Sequence, residues 1–480
     1  MQRDIDRLTA HTFDLLVVGG GVYGLAIAYD GAQRGLAVAL VERNDFGSGT
    51  SFNHHRTIHG GLRYLQRLDV ARARESILER RTLARIAPSA VRAVPFVLPL
   101  TASLVRGPLA MRVGFALDRL MGRDRNAGVP EPHRIPAGVV LGREAARARF
   151  PVLREIPMTA AAVWYDYVTT EADRLTLAWG LAAAAHGATL ANYVEATSLR
   201  VDGARAAGVT AVDRRTGRSV DIGARVVVNA TGAAVDRLLT PLAAIHLPML
   251  KAMNVVTARD APPYALGGRS SSGRNLFMVP WRDRALFGTW ESSRPCLPEE
   301  LAVNPTELSA FISDLRQAFP SFNLTQDAVT LVHRGVVPAV KRADGSVALE
   351  GHDQVHDHAA RGVEGLISVA GTKYTTARAV AQRVTDQVFA KLGRPAVPSR
   401  TASVPLPMPD LTGDALLVHA ATHEMVVTLE DAVVRRTPLG ALGYPGDTRV
   451  AHAADVVGTA LGWSEERRTT ERDAVRRFYE

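Results

Sequence analysis

The chain has 480 residues, of which 47% are hydrophobic and 22% charged, so it is long enough for two or three globular domains. Its one cysteine, Cys296, excludes an intrachain disulfide and fits a reducing compartment, and the sequence predicts neither a secretory peptide nor a membrane-spanning helix. The net charge of +9 comes without a nucleic-acid-binding motif, so we expect no nucleic-acid partner and interpret the charge as compositional bias or as attraction to anionic lipid or substrate.

The first predicted elements form a dinucleotide-binding unit. A short apolar strand at 13–18 leads into Gly19, Gly21 and Gly24, which have the spacing G-x-G-x-x-G. In this motif the first glycine permits a tight turn, the second lets the backbone approach a pyrophosphate, and the third lets the following helix pack on the sheet. The N-terminus of that helix presents free N–H groups to the phosphates.

The next two elements strengthen this prediction. An alanine-rich stretch at 25–34 predicts the helix, and residues 36–41 predict a second strand that ends at Glu42. An acidic residue at this point accepts hydrogen bonds from a ribose hydroxyl. A glycine-rich turn without a ligand would leave Glu42 unexplained, so the sequence predicts a bound dinucleotide.

Residues 104–121 predict an amphipathic helix. Its apolar side chains are interrupted by Arg106, Arg112 and Arg119, so the stretch is too charged to span a bilayer. The pattern is typical either of a helix that packs on the protein's own core or of one that lies in a membrane interface with its arginines at the headgroups.

Two later segments extend a parallel sheet. Segments 226–236 and 365–376 are each a buried strand that ends in a glycine-containing turn, and 276–280 and 285–289 between them alternate like antiparallel strands. The predicted fold class is α/β, with a discontinuous Rossmann-like nucleotide-binding domain, an inserted antiparallel β-sheet domain and a C-terminal helical domain. The expected limits are 1–75, 140–240 and 330–392 for the nucleotide domain, 76–139 and 241–329 for the inserted substrate domain, 393–410 for a linker and 411–480 for the helical domain.

A series of motifs resembles the FAD-dependent glycerol-3-phosphate dehydrogenases, in the form of a divergent member of the aerobic, quinone-linked type. The most specific motif is Ile-His-Gly-Gly-Leu-Arg-Tyr-Leu at 58–65, and the match runs from Asp14 to about Gly440. The other motifs, in chain order, are the fingerprint at 19–24, Thr50-Ser51, Tyr165-Asp166, Asp173-Arg174-Leu175, Asn229-Ala230-Thr231-Gly232, Val279-Pro280-Trp281, Gly288-Thr289, Gly371-Thr372-Lys373-Tyr374-Thr375-Thr376, His423-Glu424-Met425 and Glu430 to Thr437.

The resemblance implies FAD as the cofactor. It implies oxidation of sn-glycerol 3-phosphate to dihydroxyacetone phosphate, or of a closely related phosphorylated alcohol, with electrons passed to a membrane quinone. Three alternatives stay open: an oxidase that uses oxygen, an oxidase of a different alcohol or amine, and a flavoprotein whose pocket only binds. We expect a cytoplasmic protein, either free or peripheral on the inner face of the cytoplasmic membrane. A homodimer is left open, and no metal site is expected.

The resemblance also implies roles for individual residues. Oxidation of a secondary alcohol by flavin needs a base poised near neutral pH and positive charge for the developing anion, so His59, Arg63 and Lys373 are the expected catalytic residues. The expected substrate contacts are Arg56, Tyr64, Lys251 and Arg334. The expected FAD contacts are Gly19, Gly21, Gly24, Glu42, Thr50, Ser51, Ala230, Gly232, Gly371, Thr372, Thr375 and Thr376.

Three departures from the family pattern fall among the substrate residues. Residues 335–338 replace Gly-Val-Arg-Pro, so Val337 stands where the family has an arginine that grips the substrate phosphate. Loss of such a buried contact costs on the order of 2–5 kcal/mol. Residues 251–254 replace Lys-Gly-Ser-His, and Glu291 replaces an aspartate. Either the substrate differs from glycerol 3-phosphate or another cation compensates, and the candidates are Arg334, Lys341 and Arg342.

Overall fold

The computed structural model describes residues 1–65, 69–103, 107–239 and 244–480, with the backbone but not the side chain of Arg63. In chain order the strands are β1 (Thr12–Val18), β2 (Val38–Val41), β3 (Thr57–Ile58), β4 (Val91–Leu100), β5 (Val139–Gly142), β6 (Ala160–Thr169), β7 (Thr189–Ala191), β8 (Val194–Asp202), β9 (Arg205–Asp213), β10 (Ser219–Asn229), β11 (Met249–Asp260), β12 (Ala265–Arg269), β13 (Asn275–Trp281), β14 (Arg284–Glu291), β15 (Val329–Lys341), β16 (Val347–Leu349), β17 (Gln354–Asp357) and β18 (Leu366–Ala370). The α-helices are α1 (Ile5–Ala10), α2 (Val22–Gln33), α3 (Leu62–Leu65), α4 (Val70–Ile86), α5 (Pro108–Met121), α6 (Arg143–Arg149), α7 (Ala172–Ala185), α8 (Pro305–Ala318), α9 (Ala377–Lys391), α10 (Gly413–His423), α11 (Asp447–Leu461) and α12 (Glu465–Tyr479).

The first sheet has the strand order β17-β18-β10-β1-β2-β7, and β8 and β9 continue from β10 as an antiparallel layer. β1, β2, β7, β10 and β18 are parallel, as segments 226–236 and 365–376 predict. Leu15 and Val17 of β1 pack in the core that contains α2, whereas Leu16 and Val18 pack in a second core on the other face. Because both faces are covered, the strand is continuously apolar from Leu15 to Val18, and this made it recognisable in the sequence.

The second sheet has the strand order β16-β15-β11-β14-β13-β12-β4-β6-β3, with β5 beside β6. Its neighbouring strands are antiparallel except for β12 and β4. The predicted antiparallel pair at 276–280 and 285–289 forms β13 and β14. Helix α8 covers one face of this sheet through Phe311 and Leu315, which share a core with Met253 and Phe287.

The fold class is confirmed, but the predicted domain limits do not follow the sheets. β3 and β6 lie within the segments 1–75 and 140–240 of the predicted nucleotide domain, yet both belong to the second sheet. β6 pairs with β4 over its full length, and β15, in the segment 330–392, pairs with β11. An apolar strand pattern reports burial but not the partner strand, so the predicted limits include residues of both sheets.

The C-terminal helices α10, α11 and α12 surround a small core of their own and are joined to the first sheet by buried ion pairs. The Asp45 carboxylate, on the segment after β2, accepts from Arg436 Nη2 at 2.6 Å and from Arg435 Nε at 2.7 Å. Arg174 of α7 binds Glu424 with an Nη2–Oε1 distance of 2.6 Å. Burial raises the pKa of Asp45, but the two arginines outweigh burial and hold that pKa below its ordinary value.

We expect Asp45→Asn to loosen the C-terminal domain. The substitution leaves Arg435 and Arg436 buried with one negative charge fewer, which costs about 3–5 kcal/mol in a buried pair. Calorimetry should show a lower unfolding midpoint, and limited proteolysis should show faster cleavage within 393–410. The control Arg218→Ala removes an exposed pair with Asp6 and should change stability by less than about 1 kcal/mol. Equal effects of the two substitutions would contradict the expectation.

Candidate active site

In the turn between β1 and α2, the backbone at Gly24 packs directly against the backbone at Gly19. Gly19 has a φ of +107°, a conformation that glycine adopts without strain. A Cβ on Gly24 would overlap the Gly19 carbonyl oxygen, so only glycine lets α2 begin here. Gly21 is the N-cap residue of α2, and the next N–H group, from Val22, donates to Ser51 Oγ at 2.9 Å.

Glu42 lies against the other side of this turn. Its Oε2 accepts from Gly20 N at 2.7 Å, and its Oε1 accepts from Asn44 N at 2.8 Å. Burial raises the pKa of the Glu42 carboxyl, and these two N–H donors oppose the rise. Each carboxylate oxygen keeps a lone pair that can accept from a ribose hydroxyl.

Two further strand ends reach the same edge of the first sheet. Ala230 follows β10 and donates its N–H to Val18 O at 2.8 Å, and Gly232 comes two residues later. The carboxyl ends of parallel strands form the edge at which folds of this kind bind ligands. The predicted cofactor residues that follow β18 and lead into α9 are Gly371, Thr372, Thr375 and Thr376.

These residues fit an extended dinucleotide such as FAD. The α2 N-terminus suits its pyrophosphate, and Glu42 suits a ribose. Thr50 Oγ1 donates to Val336 O of β15 at 2.9 Å, so the chain after Glu42 crosses from the first sheet to the second. The same crossing segment leads on to His59, so it connects the predicted cofactor residues to the predicted base along the chain.

His59 lies in a turn that two buried charges hold in place. Gly60 N donates to Asp166 Oδ1 at 2.7 Å, and Arg80 of α4 pairs with the same carboxylate. A Cβ on Gly60 would collide with the Arg80 guanidinium. Burial raises the pKa of Asp166, and Arg80 opposes the rise. The His59 imidazole is half-buried, and its ring centroid lies 6.2 Å from that of Tyr64.

Two cationic side chains lie against the Tyr64 ring. Lys373 Nζ lies 3.7 Å from the ring centroid, and Arg72 Cζ lies 4.3 Å from it. The structure therefore brings together three residues that the sequence singled out, His59, Tyr64 and Lys373. Arg63 belongs to α3, but its side chain lies outside the described residues.

Arg72 and Arg80 are residues that the sequence analysis missed. With Ser76 between them they repeat every four residues along α4, so all three share one helix face. A Cβ on Gly61 would come within 2.8 Å of the Ser76 Cβ, so this face packs on the His59 turn. The spacing of four was visible in the sequence, whereas the packing of the helix on the turn was not.

Arg56, expected to contact the substrate, is enclosed by protein. Its guanidinium is fully buried, 3.4 Å from Asp173 Oδ1 and 3.3 Å from His333 Nε2. Burial, reinforced by the charge of Arg56, lowers the pKa of His54 and of His333 well below the usual range, and it lowers the pKa of His55 to about 4. These imidazoles are neutral near pH 7, so the charge of Arg56 is balanced by Asp173.

Lys251 and Arg334 do not join the other predicted substrate residues. Lys251 pairs across the sheet with Val336, and Arg334 lies two residues before Val336, so both point to the face opposite Val337. Lys251 Nζ binds Glu307 Oε2 at 2.7 Å beside a separate cavity of about 430 Å³. As a correction to the expectation, the side-chain alternation of β11 turns Lys251 away from the site.

We expect Gly24→Ala to lose most of its FAD, because the added Cβ would overlap the Gly19 carbonyl oxygen and displace the start of α2. The FAD released by heat, measured against protein concentration, reports this directly. The control Gly114→Ala lies in α5, where a Cβ meets nothing within 4 Å and alanine favours the helix by about 1 kcal/mol. A full complement of FAD in Gly24→Ala would contradict the expectation.

Comparisons with known proteins show the family and the fold. A family described as FAD dependent oxidoreductase matches residues 14–387, and one described as the C-terminal domain of alpha-glycerophosphate oxidase matches residues 364–468. The glycerol-3-phosphate dehydrogenase of Bacillus halodurans, solved in complex with FAD, has the same fold, with a TM-score of 0.74 at 23% identity over 99% of this chain and 96% of that one.

Relatives found by sequence identify the family within the FAD-dependent oxidoreductases. Glycerol-3-phosphate dehydrogenase 2 of Mycobacterium tuberculosis is 31% identical over 95% of this chain and 73% of its own length. The glycerol-3-phosphate dehydrogenase of Synechocystis sp. is 29% identical over 84% of this chain and 75% of its own length. The chain is an FAD-dependent oxidoreductase and belongs to the family of the glycerol-3-phosphate dehydrogenases.

Proposed function

We propose that the enzyme oxidises the secondary alcohol of sn-glycerol 3-phosphate or of a closely related phosphorylated alcohol. The observation that carries this proposal is the grouping of His59, Tyr64 and Lys373 at the end of the segment that crosses from the FAD fingerprint. A base and a fixed positive charge beside one aromatic ring suit an anionic alcohol. The relatives named as glycerol-3-phosphate dehydrogenases support the same substrate class.

The side chains of the site then have distinct tasks. Bound FAD supplies the acceptor for the hydride of the alcohol carbon. An imidazole nitrogen of His59 takes the hydroxyl proton, since a histidine pKa lies close to neutral pH. Asp166 and Arg80 fix the Gly60 turn, so the base is oriented before the substrate binds. The charge of Lys373 favours the alkoxide character that develops as the proton leaves.

Val337 favours a second candidate, the oxidation of a different alcohol or amine with oxygen as the acceptor. Its buried side chain lies on the face of β15 that it shares with Gly335 and His333, and it offers no charge where the family has an arginine. A pocket with an apolar group at this position is suited to a substrate with less charge or with its charge placed elsewhere.

Anaerobic glycerol 3-phosphate should bleach the visible absorbance of the bound flavin. His59→Asn should retain FAD but slow the bleaching by about 10²–10⁴-fold, because the proton acceptor is lost. The matched control is His246→Asn, at an exposed position with a φ of +56° that asparagine tolerates. Unchanged bleaching in His59→Asn would contradict the assignment of the base.

Glycerol, polyol phosphates, hydroxy acids and amino acids are tested in parallel. Bleaching by an amine alone would replace the proposal with the oxidase candidate, and bleaching by none of them would indicate a protein that only binds. Bleaching by a phosphorylated alcohol other than glycerol 3-phosphate would retain the reaction and change the substrate.

We further propose that electrons pass to a membrane quinone and that α5 docks the enzyme on the inner face of the cytoplasmic membrane. Four apolar side chains form an exposed stripe along α5, namely Leu109 (66% exposed), Val113 (55%), Leu117 (42%) and Leu120 (69%). Arg112 and Arg119 are exposed beside the stripe, while Phe115 packs inward. An apolar stripe flanked by arginines suits a bilayer with anionic headgroups.

The rest of the predicted amphipathic segment, residues 104–106, lies outside the described residues. In the part of the chain that the structure describes, every helix is too short or too polar to cross a membrane.

Replacing Leu109, Leu117 and Leu120 together with serine should release the protein from phosphatidylglycerol vesicles. The loss of three apolar side chains from the interface should lower the partition coefficient at least about tenfold in a sedimentation assay. The control replaces three exposed apolar side chains outside α5, Val201, Leu297 and Leu411, with serine. Equal release of both variants, or of neither, would exclude α5 as the docking surface.

A further inference from the structure

Arg72 carries a buried positive charge without a carboxylate. Among the residues that the structure describes, nine arginines are buried, and eight of them bind a carboxylate within 4.0 Å. The ninth is Arg72, which is 9% exposed. Within the described chain its guanidinium forms no ion pair and no hydrogen bond, and it lies against the Tyr64 ring. A buried cation without a counter-ion is costly, so this arrangement points to an anion from outside the chain.

We propose that Arg72, beside Lys373, binds the phosphate group of the substrate in place of the arginine that Val337 replaces. This inference rests on the proposed function in one respect, that the substrate is phosphorylated. The two charged groups lie 4.3 and 3.7 Å from the centroid of one ring, so they are no farther apart than the sum of these distances. Positive charge gathered around one ring suits a phosphate dianion, and the Arg72 guanidinium adds bidentate geometry.

The proposed phosphate site lies close to the predicted base. In sn-glycerol 3-phosphate, one carbon and one oxygen separate the reacting carbon from the phosphorus atom, so the base and the phosphate site must be neighbours. The Tyr64 ring that contacts both cations lies 6.2 Å from the His59 ring, centroid to centroid. One substrate can therefore place its hydroxyl at His59 and its phosphate at Arg72.

The structure also makes room for the Arg72 guanidinium near Val337. A Cβ on Gly351 would come within 2.7 Å of Arg72 Nη1, so the absence of a side chain there admits the guanidinium. The preceding residue, Glu350, donates its N–H to Pro338 O at 3.0 Å, and Pro338 directly follows Val337. Arg72, which belongs to α4, thus supplies positive charge near the end of β15 where Val337 replaces the family arginine.

The cations that the sequence suggested as replacements lie elsewhere. Arg334 points to the opposite face of β15, and Lys341 and Arg342 are exposed where β15 turns toward β16. Arg56 is balanced by Asp173. Among the arginine and lysine side chains that the structure describes, Arg72 therefore combines burial, an unbalanced charge and contact with the predicted site.

Inorganic phosphate is the probe that tests this site. Calorimetric titration of the FAD-loaded enzyme should give a dissociation constant for phosphate that Arg72→Gln raises about 10- to 100-fold, the effect of losing a charge-assisted contact. Arg72→Lys keeps the charge and should recover part of the affinity. The matched control Arg74→Gln lies on the same helix and leaves its partner Asp124 bound to Arg81, so phosphate affinity should not change. FAD content shows that each variant is folded.

A second substitution tests the replacement itself. Adding Val337→Arg to Arg72→Gln returns a guanidinium to the other side of the site and should restore phosphate binding. An unchanged phosphate affinity in Arg72→Gln, or no phosphate binding by the unmodified enzyme, overturns the inference. If glycerol 3-phosphate fails to bleach the flavin while phosphate binding depends on Arg72, the proposed function fails and the anion site stands. If glycerol 3-phosphate bleaches the flavin of Arg72→Gln with an unchanged KM, the proposed function stands and the assignment of the phosphate to Arg72 fails.

Discussion

The site depends on how residues 42–61 are held between the two sheets. This segment leaves the first sheet at Glu42 and reaches the second at β3, with little regular secondary structure between them. Irregular backbone in the interior needs hydrogen-bond partners from other parts of the chain. Four contacts hold the segment. Ser51 accepts a hydrogen bond at the start of α2, and Thr50 donates one to β15. Asp45 pairs with the C-terminal arginines, and Gly60 donates to Asp166.

The C-terminal helices thereby take part in the architecture of the cofactor site. Asp45 lies three residues after Glu42, and its carboxylate is buried against two arginines of the π-helical turn Asp431–Arg436. Charges in a buried pair hold a narrow geometry, because any displacement leaves one of them uncompensated. The pair therefore fixes the beginning of the crossing segment, while Asp166 and Arg80 fix its end at His59.

The sequence predicted the features that depend on residues close together in the chain. The glycine fingerprint, Glu42 and the parallel strands were recognisable because each depends on a short run of residues and on burial of both sheet faces. It did not predict contacts between distant elements. Lys251 was expected at the substrate because of its motif, but the alternation of β11 decides its face. Arg72 was overlooked because its meaning depends on a missing carboxylate, which only the packed structure reveals.

Helix α4 contacts several parts of the candidate site at once. Its face of Arg72, Ser76 and Arg80 provides, from one rigid element, an unbalanced charge beside Tyr64, the surface under the His59 turn and the partner of Asp166. Glu79, one residue before Arg80, binds Arg378 at the start of α9, the helix that follows Lys373. A cation on α4 is thus fixed relative to both the predicted base and Lys373. In our proposal the phosphate-binding charge lies on this helix instead of β15, so a single element sets its distances to His59 and Lys373. One binding residue can replace another without loss of the reaction geometry only when such distances are preserved.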